Sequence, residues 1–217
     1  MTRLFVTADV HGSLNTWMTI KQLMEPTDCL VVAGDLFDTR YGNNSRTDFQ
    51  PDFIKEEIGN LSQRLYYVYG NCDTPSFTPG YEQNLVFTAF GKTILLHHGH
   101  GKPIVPDDTR IIISGHTHLF CLKEKETRIF MNPGTITNPR NNRYTYGIID
   151  QFQAKILDLT TGTPLSTIDL YPGNQDLIFT PNGIHPCDRL YWFNFIHILF
   201  STTPGSGINF LFNIHVF

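Results

Sequence analysis

The stretch Arg110-Ile111-Ile112-Ile113-Ser114-Gly115-His116-Thr117-His118 constrains this chain more than any other. Three β-branched apolar residues in a row read as a short strand buried on both faces. Gly115 then permits a sharp exit where a side chain would clash. Two histidines follow at i and i+2 on a chain that has just left the sheet. A buried strand that stops at a glycine and delivers two imidazoles has the form of a metal site at a sheet's carboxyl edge.

Other strand ends repeat the pattern. Residues 4–7 read as a strand that ends in Asp9-Val10-His11-Gly12, and residues 29–33 as one that ends in Gly34-Asp35. Between them Ser13 can cap a helix carrying Leu14, Trp17, Met18 and Leu23 at roughly helical spacing, which Pro26 stops. Residues 39–50 are polar and read as a loop, which could roof a site, form a dimer contact or simply be a mobile surface segment. A short amphipathic helix is expected over 51–61. A third strand over 65–69 ends in Gly70-Asn71-Cys72-Asp73.

From there the pattern changes to strands and turns. Residues 85–90 and 93–96 form a hairpin about Gly91-Lys92, ending in His97-His98-Gly99-His100. Pro103 and Pro106 argue against a helix over 101–109. A second hairpin is expected from 121–123 and 128–131, then a turn at Asn132-Pro133-Gly134, then strands over 144–149, 154–157 and 164–170. The sum is an α/β protein with two β layers and helices outside.

Taken together, Asp9, His11, Asp35, Asn71, His98, His116 and His118 are oxygen or nitrogen donors just past predicted strands, with no thiolate among them. Such a set suits hard or borderline divalent ions. Seven donors exceed the needs of one tetrahedral ion, so two ions with one bridging carboxylate fit better. Two ions about 3.5–4 Å apart that share a hydroxide suit in-line attack on a phosphate.

Composition closes off several other classes. A net charge of -4 gives no electrostatic case for nucleic-acid binding. Cys29, Cys72, Cys121 and Cys187 lack C-x-x-C spacing, which argues against a disulfide framework or a thiolate zinc site and fits a reducing compartment. The first residues lead straight into a strand without a signal-peptide pattern, and no apolar run approaches the ~20 residues of a membrane span. The expected location is the cytosol.

Asp9-x-His11, Gly34-Asp35, Gly70-Asn71-x-Asp73, His98-Gly99-His100 and Gly115-His116-x-His118 resemble the five signature blocks of the calcineurin-like metallophosphoesterases. The match is closest to the small bacterial YfcE-like phosphodiesterase branch, which also has Gly-Asn-Cys-Asp and an Asn-Pro-Gly after the last histidines. The resemblance implies a four-layer α-β-β-α sandwich over residues 1–172. It implies one ion held by Asp9, His11, Asp35 and His118, and another held by Asp35, Asn71, His98 and His116, with Asp35 bridging. Mn²⁺ is the first expectation, with Zn, Fe, Ni or Co as alternatives. The substrate would be a small phosphodiester or other phosphate ester. A homo-oligomer stays open.

Two features depart from many relatives. Cys72 stands where Gly-Asn-His-Asp proteins carry a histidine that protonates the leaving alkoxide, so modest turnover biased to good leaving groups is expected. His100 then becomes the expected substrate-contacting group, beside Asn71 and Asp35. The short 101–109 connection should also leave that side of the cleft open. Blander readings cover the remaining residues. Asp73 can cap a turn, His97 should point away from His98 along the strand, and Asn132 and Gly134 shape a loop. A lone His or Asp at a strand end is usually a cap, but that reading must explain five blocks in order. Residues 173–217 form an apolar tail whose only charged side chains are Asp176, Asp188 and Arg189. It could bury itself on the sandwich or a neighbouring subunit, or be sequence without an evolved role. The rival to an enzyme is a catalytically silent protein-binding scaffold, as in the retromer subunit of this fold. That branch has lost metal-ligand histidines, whereas all seven positions are filled here.

Overall fold

The computed structural model describes residues 2–42 and 46–171. The expected boundary near 172 and the apolar tail 173–217 therefore lie outside the described residues. Along the chain come β1 (Leu4–Thr7), α1 (Leu14–Leu23), β2 (Cys29–Val32), α2 (Pro51–Gly59), β3 (Arg64–Tyr67), β4 (Asn84–Ala89) and β5 (Lys92–His97). They are followed by β6 (Thr109–Ile113), β7 (Phe120–Lys125), β8 (Arg128–Pro133), β9 (Thr145–Ile149), β10 (Gln153–Asp158) and β11 (Pro164–Asp169).

The strands make two sheets, ordered β11-β10-β9-β1-β2-β3 and β4-β5-β6-β8-β7. Within the first, β1, β2 and β3 are parallel; within the second, β5, β6 and β8 are parallel. Antiparallel strands close the flanks. Alternation along the strands separates two apolar layers. Leu4, Val6 and Val31 face Ile94, Leu96, Ile111 and Ile113 between the sheets. Phe5, Leu30 and Val32 face the other way and meet Trp17 and Ile20 of α1 and Ile54 of α2.

Both helices start where the sequence marks them. Ser13 Oγ accepts from Thr16 N at 3.2 Å, and Pro51 opens α2. The polar loop before α2 is tied down where it is described. Leu14 N donates to Asp48 O at 2.8 Å, and Gln50 N donates to Gly12 O at 2.8 Å. The α/β class and paired sheets match expectation, with a difference in the outer layers. Both helices lie on the six-stranded sheet, and among the described residues the five-stranded sheet carries none. Residues 101–108, with their two prolines, are coil and turn, and Thr109 already belongs to β6. A second difference is smaller: β8 runs through Asn132 and Pro133, so the turn begins only at Gly134. No helix of the described residues is long and apolar enough to cross a membrane.

The parallel strands of both sheets bring their carboxyl ends to one edge of the sandwich. There the sheets touch through Gly115, at which a Cβ would lie 2.5 Å from Ala33 O and 2.7 Å from the Ala8 Cβ. Backbone oxygen cannot yield as a flexible side chain can. Gly115→Ala is therefore expected to cost roughly 2–4 kcal/mol of stability, read as a lower urea midpoint. A loss below about 0.5 kcal/mol, the size of an ordinary surface change, would show that the edges part freely.

Candidate metal centre

Five of the six parallel strands hand their next few residues to this shared edge. β1 leads to Asp9 and His11, β2 to Asp35, β3 to Asn71, β5 to His98 and His100, and β6 to His116 and His118. The chain must turn sharply at each exit, and the backbone records it. Asp9 (φ 56°), His11 (52°), Asp35 (50°), Asp38 (54°), His116 (70°) and His118 (57°) are all left-handed. A non-glycine residue there costs on the order of 1–3 kcal/mol, and such residues cluster at functional sites.

The histidine tautomers follow from their partners. His98 Nδ1 donates to Ala33 O at 2.8 Å, His118 Nδ1 to Asn138 O at 2.8 Å, and His11 Nδ1 to Asp38 Oδ2 at 3.2 Å. In each neutral ring the Nε2 lone pair is left facing inward. Yet what those lone pairs face is not donors. His98 Nε2 lies 3.1 Å from Asp35 Oδ2, 3.1 Å from Asn71 Oδ1 and 3.3 Å from His116 Nδ1. His11 Nε2 and His118 Nε2 face each other at 3.3 Å, with Asp9 Oδ1 3.6 Å from His118 Nε2. Asn71 Nδ2 points to Cys72 Sγ at 3.2 Å, which turns Oδ1 toward the cluster.

Electron-rich atoms converge here with too few protons between them, which a cation would relieve. Metal–nitrogen bonds of about 2.0–2.1 Å place neighbouring ligand nitrogens roughly 3.0–3.4 Å apart, and the observed separations fit. The seven predicted donors are thus brought together, Asp9, His11 and His118 forming one tight group and Asp9, Asp35 and His98 another. His100 stands at the exposed rim, its ring centroid 5.4 Å from that of His98 and 6.4 Å from that of His116.

The carboxylates are held in different ways. Asp9 is fully buried and accepts from His116 N at 3.1 Å. Burial pushes its pKa up to about 7, against the pull of His98 and His11. For Asp35 burial acts in the same direction, but the hydrogen bond and charge of His98 and the Cys72 N–H override it. Its pKa falls to about 2. His98 and His11 are raised, because Asp35 and Asp38 respectively outweigh burial. Burial lowers His116 and His118. Burial and then Asp35 push the Cys72 thiol up, so it stays protonated.

Sequence reasoning passed over several supports. Asp73 does more than cap a turn. Its carboxylate accepts from Gly70 N (3.0 Å), Phe37 N (2.9 Å), Leu36 N and Asp38 N (3.2 Å each) and Tyr67 Oη (2.7 Å). It thereby locks the Asp35 loop to the Asn71 loop. Asn132 Nδ2 donates to Gly115 O at 2.7 Å and Oδ1 accepts from Gly134 N at 2.9 Å, bracing the His116–His118 loop. Asp38, three residues past Asp35, was the readable one, since it is an acid on a strand-end loop beside a ligand. The carbonyls of Ala33 and Asn138 carry no sequence signal. His97 was expected to point away from the site; it lines a cavity beside His98 and His100.

This fold and site define a class, and the comparisons agree. The calcineurin-like phosphoesterase superfamily domain matches residues 2–153, and the chain belongs to that superfamily. It is 24% identical over 187 residues to phosphodiesterase YfcE of Escherichia coli K12, covering 79% of this chain and all of that protein. It is 26% identical over 180 residues to a probable metallophosphoesterase of Mycoplasma pneumoniae, covering 76% of this chain and 99% of that one. The YfcE structure overlays with a TM-score of 0.69 at 22% identity, over 78% of this chain and 100% of that chain. Vps29 of Entamoeba histolytica, complexed with Zn²⁺, overlays with a TM-score of 0.54 at 19% identity, over 77% and 98%. At these identities the overlays report the fold.

If these side chains are ligands, a cation must displace the protons that Asp9, His11 and His98 hold at raised pKa. Divalent-cation affinity should then climb with pH as those protons leave, by about tenfold per unit for each proton displaced. Calorimetry from pH 5 to 8 measures it, and a flat profile would contradict the assignment of these side chains as ligands.

Proposed function

We propose that the chain is a phosphodiesterase that hydrolyses small phosphate diesters with two divalent cations. Asp9, His11, Asp35 and His118 would hold one, and Asp35, Asn71, His98 and His116 the other, with Asp35 shared. Mn²⁺ is the first candidate, with Zn, Fe, Ni or Co next. The observation that carries this reading is the convergence of imidazole lone pairs and carboxylate oxygens at the sheet edge. Such cations supply charge neutralisation for phosphoryl oxygens and a water acidified to near neutral pH.

The chain's own groups do the rest. The Ala33 and Asn138 carbonyls and the Asp38 carboxylate fix the rings of His98, His118 and His11, so the donors stand preorganised. His100, at the exposed rim, is placed to donate to a non-bridging or leaving-group oxygen of the substrate. Water adds to phosphorus, the ester P–O bond breaks, and an alcohol and a monoester leave. Cys72 lies within reach of His11 and Asp38, but its thiol is a poor proton donor, so the leaving group must depart with little help.

The test is hydrolysis of bis-p-nitrophenyl phosphate beside the p-nitrophenyl monoester, on protein stripped with chelator and reloaded with Mn²⁺. Activity is expected only with metal and faster on the diester. Turnover of neither ester with any of the candidate ions would favour the rival reading, a protein-binding scaffold. Cys72→His should raise the rate on alkyl diesters by about 10- to 100-fold, the low end of a general-acid effect. An unchanged alkyl rate would show that the thiol is not what limits turnover.

A further inference from the structure

Next to His98 and His100 the cleft opens into a cavity of about 150 Å³. One wall is the chain leaving β5, from His97 to Pro103; the other is Gln83 and Asn84 at the start of β4. The register places Asn84 opposite His97. Residues 101–108, which run from this wall to β6, are coil and turn. Its polar groups are the amides of Gln83 and Asn84, the imidazoles of His97 and His100 and the ammonium of Lys102. Its lining holds no carboxylate, and Lys102 enters no ion pair with a described acid.

Size and chemistry narrow what fits. The volume is under the roughly 300 Å³ at which drug-sized pockets begin. A short arm ending in a small charged head fits such a space. Among the described residues this lining of donors holds one cation, Lys102, that no acid pairs with, which selects a negative head. The opening beside His98 and His100 points the arm at the proposed reaction centre.

We propose that this cavity receives the retained arm of the diester, and that this arm ends in a second anionic group held by Lys102 and the Asn84 and Gln83 amides. The inference rests on the phosphodiesterase reading and names its substrate class: diesters bearing a further phosphate-like or carboxylate head a few atoms from the scissile phosphorus.

Three p-nitrophenyl phosphodiesters with the same leaving group test it, their other arms being propyl, 3-carboxypropyl and 3-phosphonopropyl. With the Mn²⁺-loaded full chain, kcat/KM for an anionic arm should exceed that for propyl by about tenfold, the value of one charge-assisted hydrogen bond at a partly exposed site. The difference should sit in KM. The better of the two anionic arms identifies the head as phosphate or carboxylate. Within each variant the ratio is its own control. Lys102→Ala should bring it near one, Lys102→Glu should invert it, and Lys102→Arg should keep it. Equal kcat/KM for all three arms, or a preference that survives Lys102→Glu, overturns the subsite and leaves the phosphodiesterase intact. Failure to hydrolyse any of the three removes both together.

Discussion

The arrangement depends on how closely two sheet edges approach at Gly115. Elsewhere the sheets stand apart by a layer of interlocked side chains, Val6 and Val31 against Ile94 and Ile113. At the edge that spacing collapses to backbone against backbone, Gly115 beside the Ala33 carbonyl and the Ala8 methyl. The pinch sets Asp9 within reach of the His116 N–H and His98 within reach of the Ala33 carbonyl. Each contact joins one sheet to the other. The centre is thus a seam, and the inter-sheet core is what presses its halves together.

Buried carboxylates are costly unless matched, and three lie at or beside this seam with different solutions. Asp73 accepts from the backbone N–H groups of Phe37 and Gly70 and from the Tyr67 hydroxyl, so its oxygens are satisfied within the protein. Asp35 relies on one imidazole and one N–H. Asp9 has little beyond the His116 N–H and keeps a proton to near neutrality. The gradient runs from an acid fully matched within the protein to one that is barely matched. With its oxygens satisfied, Asp73 can hold the loops around the other two.

Much of this was legible in the sequence because strand ends are marked twice. A buried β-branched run ends at a glycine, and the residues after the glycine are polar without local cause. Residues 110–118 show both marks, and the structure brings all seven predicted donors to one edge. What could not be read falls into three kinds. The orienting acceptors of His98 and His118 are backbone carbonyls, which every residue has. The roles of Asp73 and Asn132 are long-range, and their types fit a turn equally well. His97 follows the alternation of its strand, but alternation says nothing of the hollow beside it. The coil at 101–108 was legible from its two prolines.

The left-handed backbone at His11, His116 and His118 bears on how such a chain can change over generations. Glycine enters that conformation most readily, and asparagine and aspartate do so as single residues. Under the two-cation proposal, the ions those histidines would bind are the reason to keep them there. Once that demand is lifted, replacement by asparagine or glycine relaxes the backbone and removes crowded lone pairs at the same time. Return requires strain and repulsion to be accepted before any ion can compensate.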